Sequence, residues 1–432
     1  MADAVTLSRR RLVAAGAASG ALAMAAAVAS DGRRATARTL PAPSQDGVTE
    51  ISFWKPPHGL NDAELFATLF EAFSQEHPNI RVTHNIVPWA SVDESFTAAF
   101  AGGDPPDVFY LPDEWYPKYA VQGQIADLTP MFGDLQEEYD PNLWAAGTYQ
   151  DTLYGIPFLA VIHALLLNMS LFEEAGLAAP QTWSDIEEAA TTLADTSQGR
   201  YGFEIPSETG WTQLTALLAA GGARVLSEDL TQVAADTPGG VAAWEAALER
   251  IAWEDQAATP LSFTIDQRLD LSLRGQIAMM WREQSQVATW RAEAPDITLD
   301  VMPLPPVDGS DGQPAVWTNS GFLFMAEGSA HKDQAAELIR FLASRRVQEE
   351  YVVNGVNLIS PMVGISTDDE DPLVAKYLSL LPQGVGPEMS VHWADAAQAL
   401  RQESQAVVTG QKDAAQALAD FAAIVEPTLD GE

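Results

Sequence analysis

Three short stretches set an indole beside groups that hydrogen-bond or carry charge. Trp54, Lys55 and His58 fall within five residues, with Asn61 just beyond, while Asp113-Glu114-Trp115 and Trp281-Arg282-Glu283 are each consecutive. An indole face offers apolar area, and carboxylates, amides and guanidinium groups pair with hydroxyls. Together they suit a polyhydroxylated molecule held in a cleft, its C–H faces stacked and its hydroxyls bonded. Trp54 itself is open to a role in the cleft or in the core.

Catalytic patterns do not emerge. No phosphate loop, dinucleotide loop or nucleophile elbow is present, and Gly384-x-Gly386 lacks a third glycine. The six histidines, at positions 58, 77, 84, 163, 331 and 392, show no metal-ligand spacing, so no metal is expected. With 60 acidic residues some carboxylates must lie close together, but nothing singles out a glycosidase pair.

The elements that would position these residues read as alternating strands and helices. Ile51-Ser52-Phe53-Trp54 predicts a first strand, and Leu65, Phe66, Leu69, Phe70 and Phe73 lie at helical spacing. Ile80, Val82, His84 and Ile86 alternate as a second strand. The next helix stops at Gly102-Gly103, Asp104-Pro105-Pro106-Asp107 bars helix, and Val108-Phe109-Tyr110-Leu111 predicts a strand buried on both faces. Such a βαβ series builds a parallel sheet, whose ligands bind at the strand ends, where Pro112-Asp113-Glu114-Trp115 begins. Further on, Tyr154 to Asn168 predicts a long strand, Thr182 and Asp185 stand at capping-box spacing, and Trp211–Ala220 reads as a helix ending at Gly221-Gly222. Trp183, Trp244, Trp253 and Trp290 read as core; Trp89 and Trp144 give no clear signal.

The run from Ala98 to Thr129 resembles a segment of the family 1 extracellular solute-binding proteins, the maltose-binding-protein-like receptors of sugar ABC importers. In the same order, Tyr154-Gly155-Ile156-Pro157, Leu171 to Leu177, Pro180 to Ile186, Gly275 to Trp281, Val316 to Phe322 and Met389 to Trp393 resemble the family's later motifs. The resemblance covers nearly all of the chain beyond its N-terminal region. It implies an α/β, two-lobed periplasmic-binding-protein (type II) fold with a hinge and an inter-lobe ligand cleft. Residues 48–160 and 320–366 would form the first lobe, and residues 161–319 and 367–432 the second, with crossings near Ala160, Ser320 and Thr367.

It further implies capture of a carbohydrate, such as an oligosaccharide, for an ABC permease and ATPase complex, by a monomer without catalytic activity or cofactor. Glu114 takes the place of the family's hydroxyl-binding aspartate, Trp115 replaces its neighbouring arginine, and Leu111 replaces its first stacking tryptophan. Trp211 matches an aromatic before the Ala-Ala-Gly-Gly helix end. Trp281, with Arg282, stands a few residues before the position of a family tryptophan, which aligns with Ser285. Trp393, in Met389-Ser-Val-His-Trp-Ala-Asp-Ala, matches a tryptophan that stacks on sugar. Two alternatives remain open: a receptor for a non-sugar or anionic solute, for which Lys55 and Arg282 are the available cations, and a secreted carbohydrate-active enzyme.

At 432 residues and 12 Trp and 16 Phe, the chain is long and apolar enough for two cores. Arg9-Arg10-Arg11-Leu12-Val13 and the Ala-rich run to Ala29 read as a twin-arginine export signal over residues 1–29, followed by a Pro-containing linker over residues 30–47. Cleavage is expected near Ala29 or Ala37, giving a periplasmic or otherwise extracytoplasmic protein. Without cysteine there is no site for a lipid anchor. The formal charge of -37 repels nucleic acid and anionic membrane. Replacing Arg9 and Arg10 by Lys is expected to leave precursor in the cytoplasm, read by fractionation and immunoblot; normal export of that variant would exclude the twin-arginine route.

Overall fold

The computed structural model describes residues 47–59, 61–206, 210–365 and 371–429. The expected export signal, nearly all of the linker and the crossing near Thr367 lie outside the described residues.

Strands β1 (Thr49–Lys55), β2 (Ile80–Ile86) and β3 (Val108–Pro112) are parallel, with β1 in the middle. The helix Asp62–Glu76 joins the first two and buries Phe66, Leu69, Phe70 and Phe73. The helix Val92–Gly102 joins the second pair. Gly103 ends it at φ 74°, where the amides of Gly103 and Asp104 reach back to the carbonyls of Phe100 and Ala99. All five residues of β3 are buried, because separate apolar clusters pack on its two faces. β2 lies at the sheet edge and buries only Ile80.

A small hairpin of β4 (Thr148–Tyr149) and β5 (Thr152–Leu153) precedes the 13-residue β6 (Ile156–Asn168). β7 (Tyr201–Phe203), β8 (Ile277–Glu283), β9 (Leu299–Met302), β10 (Val316–Met325) and β11 (Gly384–Val385) follow. One nine-stranded sheet runs β2-β1-β3-β10-β6-β8-β7, with β11 on β10 and β9 on β6. The sheet is mixed: β10 runs antiparallel to both β3 and β6, because it returns from the second half of the chain.

β6 and β10 carry the architecture. Residues of β6 up to Val161 pack into the core built on β1, β3 and the helix Lys332–Leu342, whereas Ile162 onward pack into the cores of the other lobe. On β10 the change falls between Trp317 and Phe322. The two strands pair with each other across this change, Ala160 opposite Ser320, and the register slips between Gly321 and Phe322. Gly321 is required there. A Cβ would lie 1.8 Å from the Tyr110 hydroxyl, which rests over the backbone of β10.

The remaining helices follow the sequence closely. Thr182 and Asp185 form the reciprocal capping box ahead of Trp183–Leu193, and Trp211–Ala220 and Trp393–Val408 are helical. Trp183, Trp244 and Trp290 are fully enclosed. Trp253 is not: it is 44 % exposed, near the end of a π-helical stretch, its ring lying where a Cβ on Gly410 would stand.

Candidate functional site

The C-terminal ends of β1 and β3, the end of β8 and the paired hinge strands bring together most of the residues singled out above. The turn after β3 is the best defined. The Asp113 carboxylate accepts from the Glu114 amide at 3.0 Å and from the Ser320 amide on β10 at 3.2 Å. Glu114 accepts from the Asn319 side chain at 3.3 Å. Both acids are buried, and burial raises both pKa values; the neighbouring Glu114 charge raises that of Asp113 further. Trp115 is half-buried on the cluster below, where Met389 of the second lobe also packs. The lobes therefore meet at this turn.

On β1, Trp54 is half-buried with its ring edge-on to Phe96 at 5.8 Å. His58 lies edge-on to Tyr110 at 4.8 Å and to Trp89 at 5.5 Å. Its pKa lies well below the usual value because burial, and then the Lys55 charge, disfavour the imidazolium. Lys55 departs from the expectation. It is 0 % exposed, ion-paired with Asp62 and donating to the Pro56 carbonyl at 2.7 Å, so it does not reach a cleft. Its direction is set by strand alternation: Ile51, Phe53 and Lys55 share the face that packs on the helix Asp62–Glu76.

The second lobe supplies a polar pocket of about 100 Å³ lined by His163, Glu204, Thr212, Trp281, Arg282 and Glu283 among others. Trp281 donates its indole N–H to the Thr212 hydroxyl at 3.1 Å. Arg282 forms an ion pair with Glu204 while its Nε, buried, has no hydrogen-bond partner among the described residues. The Trp211 indole N–H, half-buried on the preceding turn, is likewise without one. Glu283 and His163 approach to 3.8 Å, but His163 is pushed down to about 4 by burial and by Arg282, so this contact joins a neutral imidazole to the carboxyl group at neutral pH. Burial raises the Glu283 pKa against the opposing Ser285 hydroxyl. The lining of this space, from His163 to Gln286, comes from the second lobe alone, so it forms one wall of the cleft and its volume is not that of the cleft.

Trp393 also departs from the expectation. It is 1 % exposed, belongs to the main apolar cluster of the second lobe, and lies nearly parallel to Trp317 with centroids 6.4 Å apart. The first turn of its helix is drawn into the core by Trp317 on the hinge strand. Sequence reading missed Glu204 and Asp62, the acids that take up the two cations. Glu204 stands 78 residues from Arg282 and carries no local signal, whereas Asp62, seven residues after Lys55 at a helix start, was open to detection. Among the described residues no group of three or more His, Asp or Glu could hold a metal ion.

The family profile of the bacterial extracellular solute-binding proteins matches residues 59–349. The chain belongs to that family. This solute-binding protein is similar to a maltotriose-binding protein of Pyrococcus abyssi, 21 % identical over 345 residues that cover 77 % of this chain and 73 % of the relative. It is also similar to the diacetylchitobiose binding protein DasA of Streptomyces coelicolor, 24 % identical with 62 % and 63 % covered. Among solved structures, an ABC substrate-binding protein of Listeria monocytogenes in complex with cycloalternan aligns with a TM-score of 0.78 at 20 % identity, covering 89 % of this chain and all of that one. The GacH receptor of Streptomyces glaucescens aligns at 0.79 and 20 % identity, covering 88 % and 98 %. These likenesses establish the two-lobed α/β receptor fold.

Replacing Trp393 by Ala in this solute-binding protein is expected to cost about 3–5 kcal/mol of stability, as for other enclosed tryptophans, read by urea denaturation without ligand. Unchanged stability with weakened ligand affinity would place the ring in the cleft instead.

Proposed function

We propose that this solute-binding protein captures an uncharged saccharide outside the cytoplasm and delivers it to an ABC permease and its ATPase. Family membership supports the receptor role. Relatives named for maltotriose and diacetylchitobiose, and similar structures holding cycloalternan or acarbose, support the saccharide. The observation that carries the reading within this chain is the state of its two candidate cations. Lys55 is taken up by Asp62 and Arg282 by Glu204, all four side chains buried. No cation at these positions is left to meet a carboxylate or phosphate, and an anion would face Asp113, Glu114 and Glu283 across a low-dielectric cleft. This disfavours the anionic-solute alternative.

What remains suits hydroxyls. Trp115, Trp211 and Trp281 offer stacking faces, Glu114 and Glu283 accept, and the Arg282 Nε and the Trp211 N–H donate. Trp54 and His58 complete the wall of the first lobe. The lobes divide where β6 and β10 exchange cores, near Ala160 and Ser320, and the protein acts as a monomeric receptor, exported by the twin-arginine route, rather than as an enzyme.

A thermal-shift panel tests the ligand class, since a ligand bound only by the folded state raises the midpoint by RT ln(1 + [L]/Kd). Maltotriose, diacetylchitobiose and other neutral saccharides should include at least one that raises it, while trigalacturonate and maltose phosphate should not. A shift confined to the anionic sugars would overturn the charge argument, and hydrolysis of the shifting saccharide by purified protein would overturn the receptor role.

A further inference from the structure

Buried lysines are costly, and Lys55 is 0 % exposed with no role in contacting a ligand. Burial, outweighing the Asp62 charge and hydrogen bond, lowers its pKa from 10.5 to about 8. The unfolded chain therefore holds more protons than the folded one between pH about 8 and 10.5. The buried ammonium is thus a stability cost that is fully present below about pH 8 and fades as pH rises toward 10.5. A buried pair that carries this cost invites the question of what it positions.

What it positions is the loop between β1 and the first helix. Lys55 is the last residue of β1 and Asp62 the first of the helix, so the pair ties the end of the strand to the start of the helix. The Lys55 ammonium also bonds the Pro56 carbonyl at 2.7 Å and lies over the rings of Phe66 and Tyr351, 4.9 and 5.6 Å from their centroids. The Tyr351 hydroxyl donates to the second oxygen of Asp62, and its ring stacks on Phe158 of hinge strand β6 at 5.6 Å. From the same π-helical turn (Gln348–Val353), Gln348 donates to the Phe158 carbonyl at 2.9 Å and accepts from Ser360. One chain of buried polar and aromatic contacts thus runs from the loop that carries His58 to the strand on which the lobes hinge.

We propose that Lys55, with Asp62 and Tyr351, is a positioning clamp: it fixes Pro56–Gly59 against the hinge so that His58 is presented to the cleft in a set geometry. That His58 faces ligand rests on the saccharide reading above; the clamp itself does not. The titratable groups around Lys55 are Asp62 on the helix, His58 on the loop, Tyr351 on the π-helical turn and, beyond His58, Tyr110 on β3. Both tyrosines are pushed far above their usual pKa and His58 far below its own. Lys55 is therefore the member of this group that titrates as pH rises from 7 to 10.

Trp89 supplies a ligand-free reporter, because its indole N–H donates to the Pro57 carbonyl in the middle of the loop at 2.7 Å. Its resonance, assigned with Trp89→Phe, is followed in ¹⁵N spectra of the intact protein. Lys55→Met alone should destabilise by stranding Asp62, so the variant used is Lys55→Met/Asp62→Leu, which removes both charges. In that variant the Trp89 indole proton should move upfield and exchange at least tenfold faster. In the parent the same upfield movement should follow deprotonation of Lys55, read from its ¹³Cε shift as pH rises, and the double variant should show none. A folded double variant whose indole proton is unchanged in shift and exchange would overturn the clamp. So would a parent indole resonance that stays flat through the deprotonation of Lys55, a result that decides the matter if the variant does not fold. Binding of the neutral saccharide that the thermal-shift panel selects, by calorimetry, is the third readout, with a tenfold or greater loss expected in the variant. A panel in which no neutral saccharide binds the parent counts against the saccharide reading and leaves the indole result to judge the clamp.

Discussion

Backbone hydrogen bonding between β6 and β10 is the constraint on which the rest depends. These strands must satisfy their donors and acceptors all along their length, yet each is claimed by two different apolar cores. They meet both demands as an antiparallel ladder passing from one lobe to the other. Its register slips between Gly321 and Phe322, where the missing side chain of Gly321 admits the Tyr110 hydroxyl. The ligand groups then fall where they do because the parallel strands β1 and β3 end beside this ladder from one side and β8 ends beside it from the other. A cleft with a hinge at its floor is the consequence.

The electrostatics inside and outside this frame differ in kind. Outside, a large acidic excess is solvated and many of the basic residues are engaged in surface pairs such as Arg340 with Asp134 and Arg291 with Asp371; such pairs contribute little each. Inside, two cations are each matched to a buried acid. Lys55–Asp62 and Arg282–Glu204 are both enclosed, one under each wall of the cleft. Each neutralises itself and each also bonds a neighbouring carbonyl, that of Pro56 in one case and that of Trp281 at the end of β8 in the other. The carboxyl groups left without a cation, Asp113, Glu114 and Glu283, respond with raised pKa values.

Much of the frame is legible in the chain because local chemistry and tertiary fold agree. The helix stop at Gly102-Gly103, the capping box at Thr182 and Asp185, and the apolar spacing from Leu65 to Phe73 each have one physical solution. Long-range partnership is where legibility ends. Nothing near Arg282 announces Glu204, and the fate of Trp393 depends on Trp317, 76 residues earlier. Lys55 is the instructive case, since its pairing partner was only seven residues away and strand alternation already pointed it inward. Trp253 errs the other way: a helix end that becomes π-helical turns its ring to the surface.

If the two lobes joined by the β6–β10 ladder close around a saccharide, the distance between them must shorten on binding, and the absence of cysteine makes labelling clean. Nitroxides on Val121→Cys in the first lobe and Ile424→Cys in the second, both at exposed positions, report that distance by double electron–electron resonance. Without ligand the distribution should be broad, and it should collapse to a single shorter distance with saturating amounts of the neutral saccharide that the panel selects. An identical distribution with and without a saccharide that calorimetry shows to be bound would rule out closure.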